Sequence, residues 1–113
     1  MNKKIAVPVD AKGKLDGHFG HCKYFEIFTV EGNKIVSSEK IAPPAHEPGV
    51  LPEWLANKGT TEVLAGGMGH KAIQIFNYNN VNVFVGAPQL TATELASGFL
   101  NKSIVFTANY CDH

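Results

Sequence analysis

With 113 residues, the chain has enough length for one domain with its own hydrophobic core, so folding requires neither disulfides nor a structural metal. Ten lysines balance ten carboxylates and arginine is absent, which leaves no net charge and removes the usual bidentate reader of phosphates and guanine edges. A nucleic-acid partner is therefore not expected, and neither is a membrane, because no apolar run approaches the ~20 residues that span a bilayer.

Lys4–Val9 is a short apolar run rich in β-branched residues and predicts a buried strand, with Pro8 near its end because proline removes a ladder donor. Asp10–Lys14 is a polar connection. Tyr24–Val30 predicts a second strand, Glu31-Gly32-Asn33 a tight hairpin turn, and Lys34–Ile41 a half-exposed third strand. The first three strands thus form a meander. Residues 42–52 hold four of the six prolines together with His46 and read as a loop. Pro52 suits the first turn of a helix carrying Glu53–Ala56, and Gly59 would end it.

From there strands and helices alternate. Thr61–Ala65 predicts a strand that runs into Gly66-Gly67-Met68-Gly69-His70, and Lys71–Asn79 predicts a helix. Val81–Val85 is the next strand. Thr91 and Glu94 fit a capping box ahead of the apolar stripe Leu95, Ala96, Phe99 and Leu100. Ser103–Thr107 is a last apolar segment, and residues from about 108 to 113 are expected to be a flexible tail. This pattern implies one domain over residues 1–113, an α/β fold with helices on both faces of a mixed sheet. Right-handed crossovers give the strand order 3-2-1-4-5, with strand 2 antiparallel. Chain order then reverses between strands 1 and 4, and ligands of open α/β sheets favour the crevice beyond such a switch point.

Two histidine-bearing glycine loops meet there. Asp16–Cys22 places His18, His21 and Cys22 within five residues, the side chains preferred by soft or borderline metals. The spacing is not that of a closed structural zinc site. Gly66–Lys71 enters a helix N-terminus, where free amides attract anions. Gly67 and Gly69 would let a bulky ligand approach the backbone, Met68 is packing or a soft contact, and His70 is a further ligand candidate. Cys111 and His113 could close over a bound metal from the tail. A phosphoryl-transfer site built on Asp10 fails, because several converging carboxylates would be required. The two cysteines, Cys22 and Cys111, are expected to stay reduced in a cytoplasm, since the opening segment is too short for a signal-peptide core.

An ordered set of motifs gives these features a family. Ile5–Asp10, Asp16-Gly17-His18-Phe19-Gly20 with Tyr24-Phe25, Pro48–Leu55, Gly66–Gly69, Val85-Gly86-Ala87 and the ending Asn109–His113 together resemble the dinitrogenase iron–molybdenum cofactor biosynthesis family. The likeness is to its small nitrogenase accessory factor-like members, including stand-alone archaeal and bacterial ones. The resemblance implies a ribonuclease H-like three-layer α/β/α domain with a five-stranded sheet. It also implies binding, carriage or protection of an iron–sulfur or iron–molybdenum–sulfur cluster rather than catalysis. His18 is the cluster contact it carries over.

The expectation is thus a cytoplasmic cluster-binding accessory protein whose partners are cluster donor and acceptor proteins, with a weak homo-oligomer left open. Cofactor contacts are expected from His18, Phe19, Gly20, Gly67, Met68, Gly69 and His70. Metal contacts are expected from His18, His21, Cys22, His70, Cys111 and His113. A zinc- or copper-binding module, and a thiol-dependent enzyme using Cys22, are the alternatives.

Overall fold

The computed structural model describes residues 2–17, 19–44 and 50–110, and of His21 the backbone alone. His18, His46, Cys111 and His113 lie outside the described residues. In chain order the elements are β1 (Asn2–Val9), β2 (Tyr24–Glu31), β3 (Lys34–Ile41), α1 (Val50–Asn57), β4 (Glu62–Leu64), α2 (His70–Tyr78), β5 (Asn82–Val85), α3 (Ala92–Leu100) and β6 (Ala108–Tyr110).

The strands form one mixed sheet in the order β3-β2-β1-β4-β5-β6. β1 pairs antiparallel with β2 along its whole length, from Asn2↔Glu31 to Val9↔Tyr24. On its other edge it pairs parallel with β4 at Ile5↔Glu62 and Ala6↔Val63. That ladder stops before Pro8, so the missing proline amide breaks no bond to β4. Gly32 and Asn33 both take positive φ (54° and 73°), the two-residue turn geometry that matches strand twist.

The β1 run is apolar throughout because both sides of the strand are buried. Ala6 joins Phe25, Ile27, Val63 and Val83 under α1 and α2, which contribute Leu51, Leu55, Ile73 and Phe76. Ile5, Val7 and Val9 join Phe28, Val30 and Leu64 under Leu95 and Ala96 of α3. Each such aliphatic side chain contributes about 1.5–3 kcal/mol when fully buried. α3 begins with the expected capping box: Thr91 Oγ1 accepts from the Glu94 amide at 3.2 Å, and the Glu94 carboxylate accepts from the Thr91 amide at 3.1 Å.

Two expectations are corrected, the count of five strands and the flexible tail from about residue 108. The sheet has six strands rather than five, because Ala108–Tyr110, assigned to the flexible tail, pairs antiparallel with β5. The apolar segment Ser103–Thr107 ahead of it forms no strand. Ile104 and Phe106 pack into the α3-side core while Val105 is 88% exposed, so the segment alternates without pairing. It is latched by close approach to two glycines. Ile104 lies over Gly98, where a Cβ would come within 2.2 Å of its Cδ1, and Thr107 lies over Gly86, where a Cβ would come within 2.1 Å of its Oγ1. The Thr107 amide donates to the Val85 carbonyl at 3.0 Å, which delivers the chain into β6.

Gly86 also holds φ +82°, a conformation L side chains avoid. Gly86→Ala is therefore expected to lower stability by about 2 kcal/mol or more in urea unfolding, through left-handed strain and collision with Thr107 together. Amide exchange in β6 should accelerate beyond that in β1.

Candidate functional site

The switch point lies between β1 and β4, and the loops that leave these two strands form its walls. The first loop is organised from its start. Asp10 Oδ1 accepts the amides of Lys12 at 2.8 Å and Lys14 at 3.1 Å, closing a turn that Gly13 completes with φ +82°. The amide of Lys14, and then that of Lys12, holds the Asp10 carboxyl below its usual range. Leu15 then inserts fully into the α3-side core, and the Asp16 amide donates to the Pro8 carbonyl at 2.9 Å. Gln89 fixes the same segment by donating from its side chain to the Leu15 carbonyl. Asp10 thus shapes the loop rather than doing chemistry.

Phe19 opens a short 3₁₀ turn, Phe19–His21, and is buried. Its ring meets Phe25 edge-on at 5.4 Å between centroids and Phe76 at 5.6 Å, geometry that favours aromatic pairs. Cys22 is buried beside it in the same cluster and is a free cysteine. Burial, reinforced by the negative charge of Asp16, pushes the Cys22 thiol up to about 12. At neutral pH that thiol is protonated, whereas nucleophilic attack and metal ligation both use the thiolate. Phe19 and Cys22 are the two pins of the Asp16–Cys22 block.

The second wall follows β4. The Gly86 amide donates to the Gly66 carbonyl at 3.0 Å and the Ala87 amide to the Ala65 carbonyl at 3.0 Å, so the turn is tied to the end of β5. Gly66 lies against the first loop: a Cβ there would sit 3.6 Å from Leu15 Cδ2 and 3.8 Å from Gly17 Cα. Gly69 is the N-cap of α2 and carries no side-chain cap, in contrast to the capping box of α3. The first-turn amides of α2 therefore have no partner of the Thr91 kind, and the helix presents the positive end of its dipole there.

Between the walls lies an open cleft of about 340 Å³, lined by Gly17, Phe19, Gly20, Gly67, Met68, Gly69 and Ala72. Of the expected cofactor contacts, Phe19, Gly20, Gly67, Met68 and Gly69 line it. A Cβ added at Gly17, Gly67 or Gly69 would meet nothing within 4 Å among the described residues, so these glycines leave the space beside them open there. Gly17 and Ala72 line the cleft as well, from the first loop and the first turn of α2. His70 is exposed, and its Nε2 lies 3.2 Å from Gln74 Nε2 one turn along α2, so it is not among the described lining residues. His18, Cys111 and His113 lie outside the described residues, as does the side chain of His21; in sequence, His18 stands between Gly17 and Phe19, both of which line the cleft. Among the described residues no three His, Cys, Asp or Glu side chains gather into a metal-holding group. No helix among them is long and apolar enough to cross a membrane.

Fold and cleft together define the class: an α/β domain with an open, glycine-walled cleft at the switch point of a mixed sheet. Residues 1–102 match the family described as dinitrogenase iron-molybdenum cofactor, and the chain belongs to that family. No curated protein matches the sequence. Among solved structures, PH0822 is 27% identical, with a TM-score of 0.83 over 92% of this chain and 94% of that one. The apo form of the orange protein from Desulfovibrio gigas is 23% identical, with a TM-score of 0.76 over 94% of this chain and 93% of its own. The mj0327 protein of Methanocaldococcus jannaschii is 17% identical, with a TM-score of 0.75 over 97% and 99%. The last two likenesses are of fold.

Two substitutions separate the pins from the walls. Phe19→Ala is expected to cost about 3–5 kcal/mol in urea unfolding, as for other buried phenylalanines. Gly67→Leu should leave stability within about 0.5 kcal/mol, since its side chain enters open space without positive φ. A large loss at Gly67 would mean the cleft wall is packed after all.

Proposed function

We propose that this protein binds, and carries or protects, a metal–sulfur cluster of iron–sulfur or iron–molybdenum type, or its precursor, as cargo during metallocluster biosynthesis and without turning it over. The observation that carries this reading is the open cleft, walled by glycine backbone and headed by the uncapped N-terminus of α2. Sulfide-bridged clusters are bulky and commonly anionic. Backbone amides and a helix N-terminus hold such charge without committing many covalent ligands. A carrier has to release what it binds, and an open site with few ligating side chains suits that requirement.

His18 is assigned the cluster contact from its place in the family motif between two cleft-lining residues. The Met68 thioether supplies a soft neighbour. His21, His70, Cys111 and His113 are further candidate ligands. Cys22 is the weakest of the set, because its side chain is buried in the core and is not among the described residues that line the cleft. The same burial weighs against a thiol-dependent enzyme using Cys22. The order β3-β2-β1-β4-β5 supports the ribonuclease H-like assignment, with β6 added at the β5 edge. A reducing cytoplasm is the compartment this reading requires, with cluster donor and acceptor proteins as partners.

Anaerobic reconstitution with iron, molybdate and sulfide, followed by metal and sulfide analysis, tests the proposal. The wild-type protein should take on visible absorption from sulfide-bridged metal. His18→Ala should weaken retention by at least about tenfold, the scale produced even by losing a hydrogen-bond partner of a metal ligand. Gly67→Leu should weaken it comparably while folding normally. Colourless, stoichiometric zinc binding that His18→Ala abolishes would overturn the cluster reading in favour of a simple metal-binding module.

A further inference from the structure

At the opposite end of the sheet, a second surface combines cations with half-buried apolar rings. Two adjoining depressions, of about 430 and 300 Å³, share Asn33 and Leu100 and so form one trough between the β2–β3 turn and the end of α3. Asn33 Nδ2 donates to the Leu100 carbonyl at 3.5 Å across its middle. Half-buried Phe99, Leu100, Ile104 and Phe106 line one depression, and Lys3 and Lys102 stand with them. Lys34 lines the other. No carboxylate lines either depression among the described residues. Lys3 lies 3.7 Å from the buried Glu62 carboxylate, whereas Lys34 and Lys102 have no ion pair among the described residues.

Lys102 is also in an unexpected conformation. α3 ends with the Ser103 amide donating to the Gly98 carbonyl at 3.0 Å and the Lys102 amide to the Phe99 carbonyl at 3.4 Å. This closure places Lys102 where glycine is strongly preferred, and its φ is indeed +62°. Folding alone would favour glycine there, and a strained non-glycine residue at a surface depression points to use.

We propose that this trough docks an acidic segment of a partner protein that carries one apolar side chain. The apolar anchor seats among Phe99, Ile104 and Phe106, and flanking carboxylates meet Lys34 and Lys102. Charge complementarity selects this occupant: Lys102 and the Glu62-paired Lys3 stand beside the apolar lining of one depression and Lys34 lines the other, with no acid among their described lining residues. Lys3 stands near the start of β1 and the glycine-walled cleft lies beyond its end, so the strand's eight residues put the two sites ~25 Å apart. A docked partner therefore leaves the cleft open. The inference stands independently of what the cleft carries.

The test is titration of the ¹⁵N-labelled full chain with the peptide acetyl-Glu-Asp-Phe-Glu-Asp-amide. Amide shifts are expected at Asn33, Leu100, Lys102 and Phe106 and not at Gly67 or Gly69. Replacing the peptide phenylalanine by alanine should weaken binding about fivefold or more, and so should added salt. Lys34→Gln combined with Lys102→Gly should weaken it at least as much, while Lys102→Gly alone raises the thermal midpoint by relieving the left-handed strain. Binding that is indifferent to the peptide phenylalanine or to the double substitution would overturn the proposal. So would shifts of the same amides with protein concentration alone, which would assign the trough to a second copy of this chain.

Discussion

The ring of Phe19, held edge-on between Phe25 and Phe76, is the contact on which the site depends. It sits on a loop that leaves β1 and crosses the end of the sheet before β2 begins. Without a buried anchor a loop of that length would sample many positions, and its ends alone would not fix its middle. Phe19 supplies the anchor on one face of the sheet and Leu15 supplies another on the opposite face. The loop is thereby stapled to both cores, and the glycines beside its anchors can remain open without the wall collapsing into the cleft.

The same economy explains why the cleft is made of backbone. Gly66 approaches Leu15 and Gly17 closely enough to bring the two loops into contact, while Gly17, Gly67 and Gly69 project nothing into the space beyond. A site of this kind offers amides, a helix terminus and one thioether rather than a cage of charged side chains. Among the described residues it holds no set of converging donors of the kind a small bare cation requires. Belonging to the dinitrogenase iron-molybdenum cofactor family fits the proposed cluster as guest.

Cysteine chemistry shows how position overrides residue type. Beside two histidines in the sequence, Cys22 reads as a ligand or nucleophile. In the fold it is a small apolar filler next to Phe19, with its proton held by burial. Asp10 makes the complementary point. A carboxylate at the end of the first strand of an α/β sheet invites a catalytic reading, yet both of its short bonds go to amides four residues or fewer away. Its acidity is lowered by holding a turn.

The sequence by itself determined the elements and their order. Apolar runs rich in β-branched residues, the Gly32-Asn33 turn, the Thr91–Glu94 cap and the glycine after α1 are local signals, and each acts over a few residues. Handedness of crossovers extends them to the inner strand order and hence to the switch point where the two glycine loops meet. Tertiary structure alone decided which members of those loops face the cleft and which face the core, because that choice turns on packing between distant segments. It buried Cys22 away from the cleft, left Gly17 and Gly67 on the open side, and gave Phe19 both a place in the core and a place in the cleft lining. It also turned Ala108–Tyr110 into an edge strand, through the latching of Thr107 over Gly86 some twenty residues earlier in the chain. No local pattern encodes that contact, since a weakly β-prone tripeptide pairs only where a neighbouring edge is held within reach.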